Sequence, residues 1–202
     1  MNNFVSVFNA LINQCQTTMV LFDYVESNKI PLDASDLLRW QYVLATSALD
    51  KYIHDIVRSG MVDEFHGKKS LTPKYKSFRI TLSTLVDITT SEYPGFELEQ
   101  EIIRQHSYQA FQDPDKIADA LSFIWDEPHK WKVISQNMNT PISEDDLKIK
   151  LRNIVIRRNQ IVHQGDCDFA PIPVQQIILK EDVNNVVEFI KELVYAIEKC
   201  IQ

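Results

Sequence analysis

Apolar side chains return at helical spacing along almost every segment of this chain, and this periodicity limits the folds that it can adopt. In the first segment Phe4, Phe8, Leu11 and Ile12 fall near one face of a helix. The 202 residues include only 4 glycines, whereas a protein of many short strands needs frequent glycine-containing turns. We therefore predict an all-α fold, an antiparallel helical bundle with additional helices in its middle region.

Prolines, glycines and capping residues divide the chain into helical segments. Pro31 ends the first helix, and Asp33 or Ser35 begins the second. We expect a single domain over residues 1–202, with core helices over about 3–60 and 143–201 and a helical insertion over about 61–142. The predicted helices are 3–28, 33–60, 75–90, 96–111, 113–125, 143–163 and 181–201, with helical turns over 126–138 and an ordered loop, including a short extended piece, over 168–180.

The cysteines and the hydropathy pattern bear on the compartment. Cys15, Cys167 and Cys200 are odd in number, widely spaced and outside any Cys-x-x-Cys motif, which favours a reduced, cytoplasmic setting. Cys167 has no Cys or His at ligand spacing, so no metal site is predicted. The chain contains no uncharged apolar run of about 18 residues, so no membrane-spanning helix is expected.

Positive charge is concentrated in one segment of an otherwise acidic chain. The net charge of −7 disfavours non-specific coating of nucleic acid. Between residues 147 and 165, however, lie five basic residues and no acidic one. They form either a solvated helix face or a surface for an anionic ligand. These residues are Lys148, Lys150, Arg152, Arg157 and Arg158.

Arg158 occupies a position where helical spacing calls for an apolar residue. At about 100° per residue its side chain projects between two apolar groups. A guanidinium is rarely buried without an anionic or hydrogen-bonding partner. Two explanations stay open: Arg158 pairs with an internal acid such as Asp50 or Asp55, or this face is an interface or cleft that receives a phosphate. The flanking residues are Leu151, Val155 and Val162 on one side and Ile154 and Ile161 further round.

The segment around Arg158 resembles a known motif helix. IVIRRNQIVHQGD, residues 154–166, resembles the motif of the HEPN superfamily, which consists of an arginine, a polar residue, a few apolar positions and a histidine. The matching residues are Arg158, Asn159 and His163. Residues 37–61 resemble the preceding core helix, and residues 102–125 and 141–154 resemble the RiboL-PSP type of HEPN domain. The resemblance covers most of the chain.

This resemblance implies a metal-independent endoribonuclease without a cofactor, typically a toxin or effector of a bacterial toxin–antitoxin or phage-defence system. HEPN domains usually form homodimers in which two motif helices face each other and build one composite cleft. The implied partners are RNA, a second copy of the chain, and an antitoxin or defence-system protein. Some HEPN toxins carry a tyrosine two residues after the histidine, which a partner nucleotidyltransferase modifies. Gly165 stands at that position here, so this form of control is not expected.

The residue types also suit RNA cleavage on chemical grounds. RNA supplies its own nucleophile, the 2′-hydroxyl, so the protein has to move protons and stabilise charge. The predicted roles are His163 as acid and base, Arg158 as the group that binds the phosphate in the transition state, and Asn159 as the residue that orients His163 or the phosphate. The candidate RNA-binding residues are Arg157, Arg152, Lys150 and Lys148.

Two other functions fit the same residues. Many HEPN-like bundles bind nucleic acid or scaffold a complex without catalysis, so the chain is alternatively a binding module. In a third interpretation it is a structural dimerisation protein in which Arg158 forms a salt bridge. The aromatic residues of the middle region are able to stack on bases, but their helical spacing favours core positions. They are Tyr108, Phe123, Trp125 and Trp131.

Overall fold

The fold is that of a computed structural model, which describes residues 3–168 and 170–201. Apart from an isolated antiparallel bridge between Cys167 and Gln175, all regular elements of these residues are α-helices, which confirms the predicted all-α class. Phe169, in the predicted loop over 168–180, lies outside the described residues. The helices are α1 (Asn3–Ser27), α2 (Ser35–Phe65), α3 (Pro73–Lys76), α4 (Leu82–Thr90), α5 (Pro94–His106), α6 (Pro114–Leu121), α7 (Lys130–Asn137), α8 (Glu144–Gln164) and α9 (Lys180–Ile201).

Contacts divide the chain into two compact units. The first combines residues up to Tyr52 with residues 131–200, and it contains α1, the first part of α2, α8 and nearly all of α9. The second consists of residues 53–130 together with Ile201, and it contains the end of α2 and helices α3 to α6. All predicted functional residues belong to the first unit. None of the helices within the described ranges combines the length and the hydropathy that crossing a membrane requires.

In the first unit α1 lies antiparallel to α9. Near the start of α1, the side-chain oxygen of Asn9 accepts a hydrogen bond from the hydroxyl of Tyr195 at 2.9 Å, near the end of α9. Near the end of α1, Asp23 pairs with Lys180, the first residue of α9, at 2.6 Å. Both helices bury an apolar face, which includes Val5, Phe8, Ile12, Val187, Ile190, Val194 and Ile197.

Helix α2 also runs antiparallel to α1. The thiol of Cys15 donates to the backbone oxygen of Gln41 at 3.8 Å, and the rings of Phe8 and Tyr52 meet edge to face with 6.0 Å between their centroids. The hydroxyl of Tyr52 donates to Glu198 at 2.7 Å, which joins α2 to α9. Burial raises the pKa of Cys15 to about 11, so this thiol stays protonated and serves as a core residue.

Helix α8 begins and ends where the sequence predicts. The hydroxyl of Ser143 accepts a hydrogen bond from the backbone N–H of Asp146 at 3.1 Å and donates to the Asp146 carboxylate at 2.7 Å, so both bonds fix the first turn. At the other end Gly165 has a φ of 60°, a left-handed conformation that costs glycine little. The face that α8 buries consists of Leu147, Leu151 and Ile154.

The predicted helix over 75–90 is wrong, because two shorter helices replace it. Helix α3 ends at Lys76 and α4 begins only at Leu82. Thr81 interrupts the segment, since its hydroxyl accepts a hydrogen bond from the backbone N–H of Thr84 at 3.2 Å and thereby caps α4. A threonine inside an apolar-periodic segment is compatible with a helix interior and with a cap, so the periodicity alone does not reveal this break.

Helix α2 continues to Phe65, whereas the sequence predicts an end near Gly60. The prediction is wrong because Gly60 permits close packing and does not terminate the helix. A β-carbon at this position would lie 2.5 Å from Cγ2 of Ile124. The glycine therefore allows the side chain of Ile124 to approach the helix backbone within the second unit.

The aromatic residues of the middle region are only partly in the core. Trp131 is buried, and Phe123 and Trp125 are half-buried. Tyr108 is 91% exposed, so its predicted core position is wrong. It follows the end of α5 by two residues, where helical spacing no longer determines the direction of a side chain.

Candidate functional site

Arg158 lies on the buried side of α8, one turn beyond the last buried residue, Ile154. Its side chain is half-buried, its Nη1 donates to the side-chain oxygen of Asn159 at 3.0 Å, and its Nε is buried without a hydrogen-bond partner. No carboxylate within residues 3–168 and 170–201 pairs with its guanidinium. The alternative of an internal ion pair with Asp50 or Asp55 is therefore wrong.

The neighbouring residue, Arg157, has the internal ion pair instead. Its Nη2 donates to Oδ2 of Asp166 at 2.8 Å and to the backbone oxygen of Ile177 at 3.2 Å. Its Nη1 donates to the side-chain oxygen of Gln176 at 2.6 Å. These bonds direct the guanidinium toward the segment that follows α8, whereas the sequence predicts an RNA contact at this position.

Asp166 joins Arg157 to a second arginine. The side chain of Asp166 is fully buried, and its Oδ2 also accepts a hydrogen bond from Nε of Arg39 at 3.0 Å. Arg39 belongs to α2, and its Nη2 donates to the backbone oxygen of Gln176 at 2.7 Å. Two guanidiniums thus bind the same carboxylate oxygen, which makes the burial of the charge tolerable, although Oδ1 of Asp166 is buried without a hydrogen-bond partner among the described residues. We call Arg39, Arg157, Asp166 and Gln176 the buried ion-pair cluster.

His163 and Asn159 lie one turn apart on the exposed side of α8. His163 is in the last turn of the helix, and within the described part of the chain its ring has no hydrogen-bond partner. Asn159 links this side of the helix to Arg158 through the 3.0 Å hydrogen bond. The last two turns of α8 therefore carry the three predicted catalytic residues on adjacent sides. Arg158, Asn159 and His163 are called the motif cluster below.

The other basic residues of α8 differ in their surroundings. Lys148 pairs with Glu144 at 2.9 Å. Lys150 is exposed, and its ammonium lies 4.6 Å from the centre of the Phe189 ring. Arg152 is half-buried and interacts with other groups of the chain. The five basic residues are therefore not one continuous cationic surface in the isolated chain, and Lys150 is the most accessible of the four predicted RNA-binding residues.

An apolar surface adjoins the motif cluster. Val162 follows Arg158 by one helical turn and is 44% exposed, and Trp40 of α2 is 56% exposed. Both line a cavity of about 420 Å³, to which Ile161 and Gly165 also contribute. This surface continues the buried face of α8, but the part of the chain that the structure describes leaves it open to solvent.

Two residues that organise this region escaped the sequence prediction. Asp166 directly follows the glycine that ends α8, and Arg39 stands between Leu38 and Trp40 in a largely apolar stretch. Both positions are unusual for a charged side chain. In the sequence, only this unusual placement indicates that the two residues have a structural role. Spacing gives no indication that two residues separated by 127 positions form a hydrogen bond.

The motif cluster offers one imidazole, one guanidinium and one carboxamide. These groups transfer protons, bind phosphate with paired hydrogen bonds, and orient a neighbour. Within the described ranges, no group of three His, Cys, Asp or Glu side chains is arranged to hold a metal ion.

Comparison with protein families gives one match. The model of the RiboL-PSP-HEPN family matches residues 12–202. No match was found among curated proteins or among solved structures. HEPN domains are often ribonucleases, commonly bind RNA and commonly dimerise, so the family indicates an RNA-related function. With a match over nearly its whole length and an intact arginine–asparagine–histidine motif, the chain belongs to the RiboL-PSP-HEPN family.

Proposed function

We propose that the protein is a metal-independent endoribonuclease that cleaves RNA through attack of the 2′-hydroxyl. The observation that carries this proposal is the environment of the motif cluster. Arg158 has a guanidinium without a carboxylate partner in the described chain and is hydrogen-bonded to Asn159. The imidazole of His163, in the same two turns of α8, has no hydrogen-bond partner among the described residues. An arginine without a carboxylate partner is available for a phosphate, which a structural salt bridge would prevent.

Each residue of the motif cluster has a role in this reaction. His163 removes the proton from the 2′-hydroxyl or protonates the leaving 5′-oxygen, because an imidazole exchanges protons near neutral pH. Arg158 donates two hydrogen bonds to the phosphate as charge builds up in the transition state. Asn159 orients the Arg158 guanidinium through the existing 3.0 Å bond. The products carry a 2′,3′-cyclic phosphate and a 5′-hydroxyl.

A homodimer completes the proposed site. Val162 and Trp40 expose apolar surface directly beside the motif cluster, and a second copy that docks there buries this surface and brings two motif clusters together. Removal of exposed apolar area from water stabilises such a contact by about 25 cal/mol per Å². It also excludes water from the phosphate site, where the guanidinium then interacts more strongly with the anion.

The flanking RNA passes along α8 in this proposal. Lys150, which is exposed, binds a neighbouring phosphate, and Lys148 and Arg152 add positive charge along the same helix. Arg157 supports the site from the interior through Asp166. The biological role that we propose is that of a cytoplasmic toxin or effector in a bacterial toxin–antitoxin or phage-defence system, regulated by an antitoxin or defence partner.

Incubation of total RNA with purified protein in the presence of EDTA tests the proposal. The parent protein is expected to produce fragments with 5′-hydroxyl ends, and the His163→Ala variant to produce none. A protein that binds RNA and leaves it intact is instead the non-catalytic binding module, the alternative function of this family.

A further inference from the structure

The buried ion-pair cluster touches none of the reacting groups proposed above, yet it lies at the end of the helix that carries them. We infer that Asp166 is a positioning residue: by binding Arg157 it fixes the rotation of the last two turns of α8, and so it sets the directions in which the side chains of the motif cluster point. The effect on RNA cleavage rests on the proposed function, whereas the effect on the helix does not.

The rotation of a helix is fixed when one of its side chains is held. Successive residues of α8 point about 100° apart, so the direction of Arg157 determines the directions of Arg158 and Asn159. Arg157 is held by bonds of 2.8 Å to Asp166 and 2.6 Å to the side chain of Gln176. A rotation that brought Arg157 to the surface would break both bonds and turn Arg158 toward the side that Arg157 now occupies.

The backbone after α8 is shaped to place the Asp166 carboxylate inside. Gly165 and Asp166 both have a φ of 60°, and the backbone N–H groups of both donate to the oxygen of Gln160. A left-handed conformation costs a residue with a side chain about 1–2 kcal/mol. Two charge-assisted hydrogen bonds, from Arg39 and Arg157, offset this strain. Strain of this kind occurs at functional sites more often than elsewhere.

Gln176 closes the buried ion-pair cluster from the other side. Its backbone N–H donates to the oxygen of Asp166 at 2.8 Å, its own backbone oxygen accepts from Arg39, and its side chain accepts from Arg157. Each member of the cluster is therefore bonded to at least two others. These bonds join the end of α8 to the start of α2 and to the segment at residue 176. They hold the last turn of α8, which would otherwise fray.

The variant Asp166→Asn tests this inference, because it keeps the size of the side chain and removes its charge. Amide hydrogen exchange in the last turn of α8 is expected to become about tenfold faster, while exchange in α1 stays unchanged. Under conditions where the parent cleaves RNA, kcat is expected to fall between about tenfold and a hundredfold, with little change in KM. A purely structural role would lower the amount of folded enzyme and leave the kcat of the folded fraction unchanged.

Glu101→Gln is the matched control. Glu101 is another buried carboxylate, 5% exposed, bonded to Arg104 at 2.6 Å in the second unit. This variant is expected to lower the unfolding temperature and to leave both α8 exchange and kcat unchanged. Should Asp166→Asn fail to fold, Arg39→Lys, which retains the positive charge but loses the fork of donors, is expected to give a smaller change of the same kind.

Three results overturn the inference: unchanged exchange in α8 of folded Asp166→Asn, unchanged kcat despite faster exchange, or an equal loss of kcat in Glu101→Gln. An inactive parent protein refutes the proposed function instead. In that case the exchange measurement still decides whether Asp166 fixes the end of α8, so the two failures are distinguishable.

Discussion

The guanidinium of Arg157 donates to the carboxylate of Asp166 at 2.8 Å, although the next residue in the chain, Arg158, pairs with no described carboxylate. The two arginines are adjacent in sequence and about 100° apart on the helix, so Arg157 points toward Asp166, whereas Arg158 continues the face of α8 that contains Ile154. Of these two neighbouring residues, Arg157 therefore holds the helix in place through Asp166, and Arg158 has a guanidinium that is available to an external anion.

The first prediction concerns the motif cluster. His163→Ala and Arg158→Ala are each expected to lower the rate of RNA cleavage by about 10²–10⁴-fold, since one removes the proton-transfer group and the other removes charge stabilisation at the phosphate. Circular dichroism is expected to show unchanged helix content, because neither side chain is part of the core. The cleavage rate is measured on a fluorescently labelled RNA.

Matched substitutions outside the site control for surface effects. His129 and Arg79 are exposed residues of the second unit, and their replacement by alanine is expected to leave the cleavage rate unchanged. Cleavage at the parent rate by a folded His163→Ala protein would contradict the assignment of this residue.

Most helix starts were predictable, because capping residues act locally, but the predicted ends at residues 111 and 125 are wrong, since α5 ends at His106 and α6 at Leu121. Ser143 and Gly165 cap α8 as their positions indicate, and Asp113 caps α6 through the backbone N–H of Asp115. Predictions failed where tertiary contacts determine a residue's role. Gly60 does not end α2. Its lack of a side chain makes room for Ile124, and the sequence around Gly60 gives no indication of this contact.

The site was predictable to the extent that it lies on one helix. Helical spacing places Asn159 and His163 one turn apart, and the structure has them there. The environments of Arg157 and Arg158 were not predictable, because they depend on Asp166, whose backbone enters the left-handed region, and on Arg39 in a distant helix. Asp50 and Asp55 were candidate partners for Arg158, but the acid that binds an arginine of this helix is Asp166, nine residues after Arg157.

A second prediction concerns the chemistry of cleavage. Because the nucleophile belongs to the RNA, cleavage is expected to continue in an excess of EDTA and to leave 2′,3′-cyclic phosphate and 5′-hydroxyl ends. Mass spectrometry of a short cleaved RNA identifies both ends. Products with 5′-phosphate and 3′-hydroxyl ends would show that water attacks the phosphate, and they would refute the role of the 2′-hydroxyl.

A third prediction addresses the proposed dimer. Val162→Glu places a carboxylate on the apolar surface beside the motif cluster, and burial of this charge against a second copy is expected to weaken dimerisation by about a hundredfold or more. Light scattering after gel filtration is expected to show a dimer for the parent and a monomer for the variant, with cleavage lost in parallel.

The control for this experiment is Leu82→Glu, which alters an 82% exposed leucine of α4 in the second unit. It is expected to leave both the dimer and the cleavage rate unchanged. A fully active monomeric Val162→Glu protein would show that one chain contains the complete site.

A fourth prediction concerns pH. Burial, with the charge of His54 as a smaller cause, lowers the pKa of His106 from 6.5 to about 4. Between these two values the unfolded chain binds a proton at this residue that the folded chain excludes, so stability is complete above the unfolded pKa and falls as the pH decreases. The free energy of unfolding is expected to drop by about 2 kcal/mol from pH 7 to pH 5 through this residue.

Urea unfolding at both pH values measures this change. His106→Phe replaces the imidazole with another ring among Phe78, Phe111 and Phe123. In this variant the decrease in the free energy of unfolding between pH 7 and pH 5 is expected to disappear. His129→Ala, at an exposed position, is expected to retain it. Equal pH dependence in the parent and in His106→Phe would show that other groups determine the acid sensitivity.

The adjacent arginines provide the last prediction, since the same substitution at each position is expected to have opposite effects. Arg157→Met removes one of two guanidiniums from a fully buried Asp166, and we expect a loss of about 2–3 kcal/mol in the free energy of unfolding. Arg158→Met breaks no ion pair among the described residues and adds hydrocarbon to an apolar surface, so its stability is expected to equal or exceed that of the parent. Its RNA cleavage is nevertheless expected to be lost. Urea unfolding measures the structural contribution of each arginine, and the cleavage assay measures its contribution to the reaction.

A stable Arg158→Met protein with full activity would identify Arg158 as a residue of the dimer surface alone.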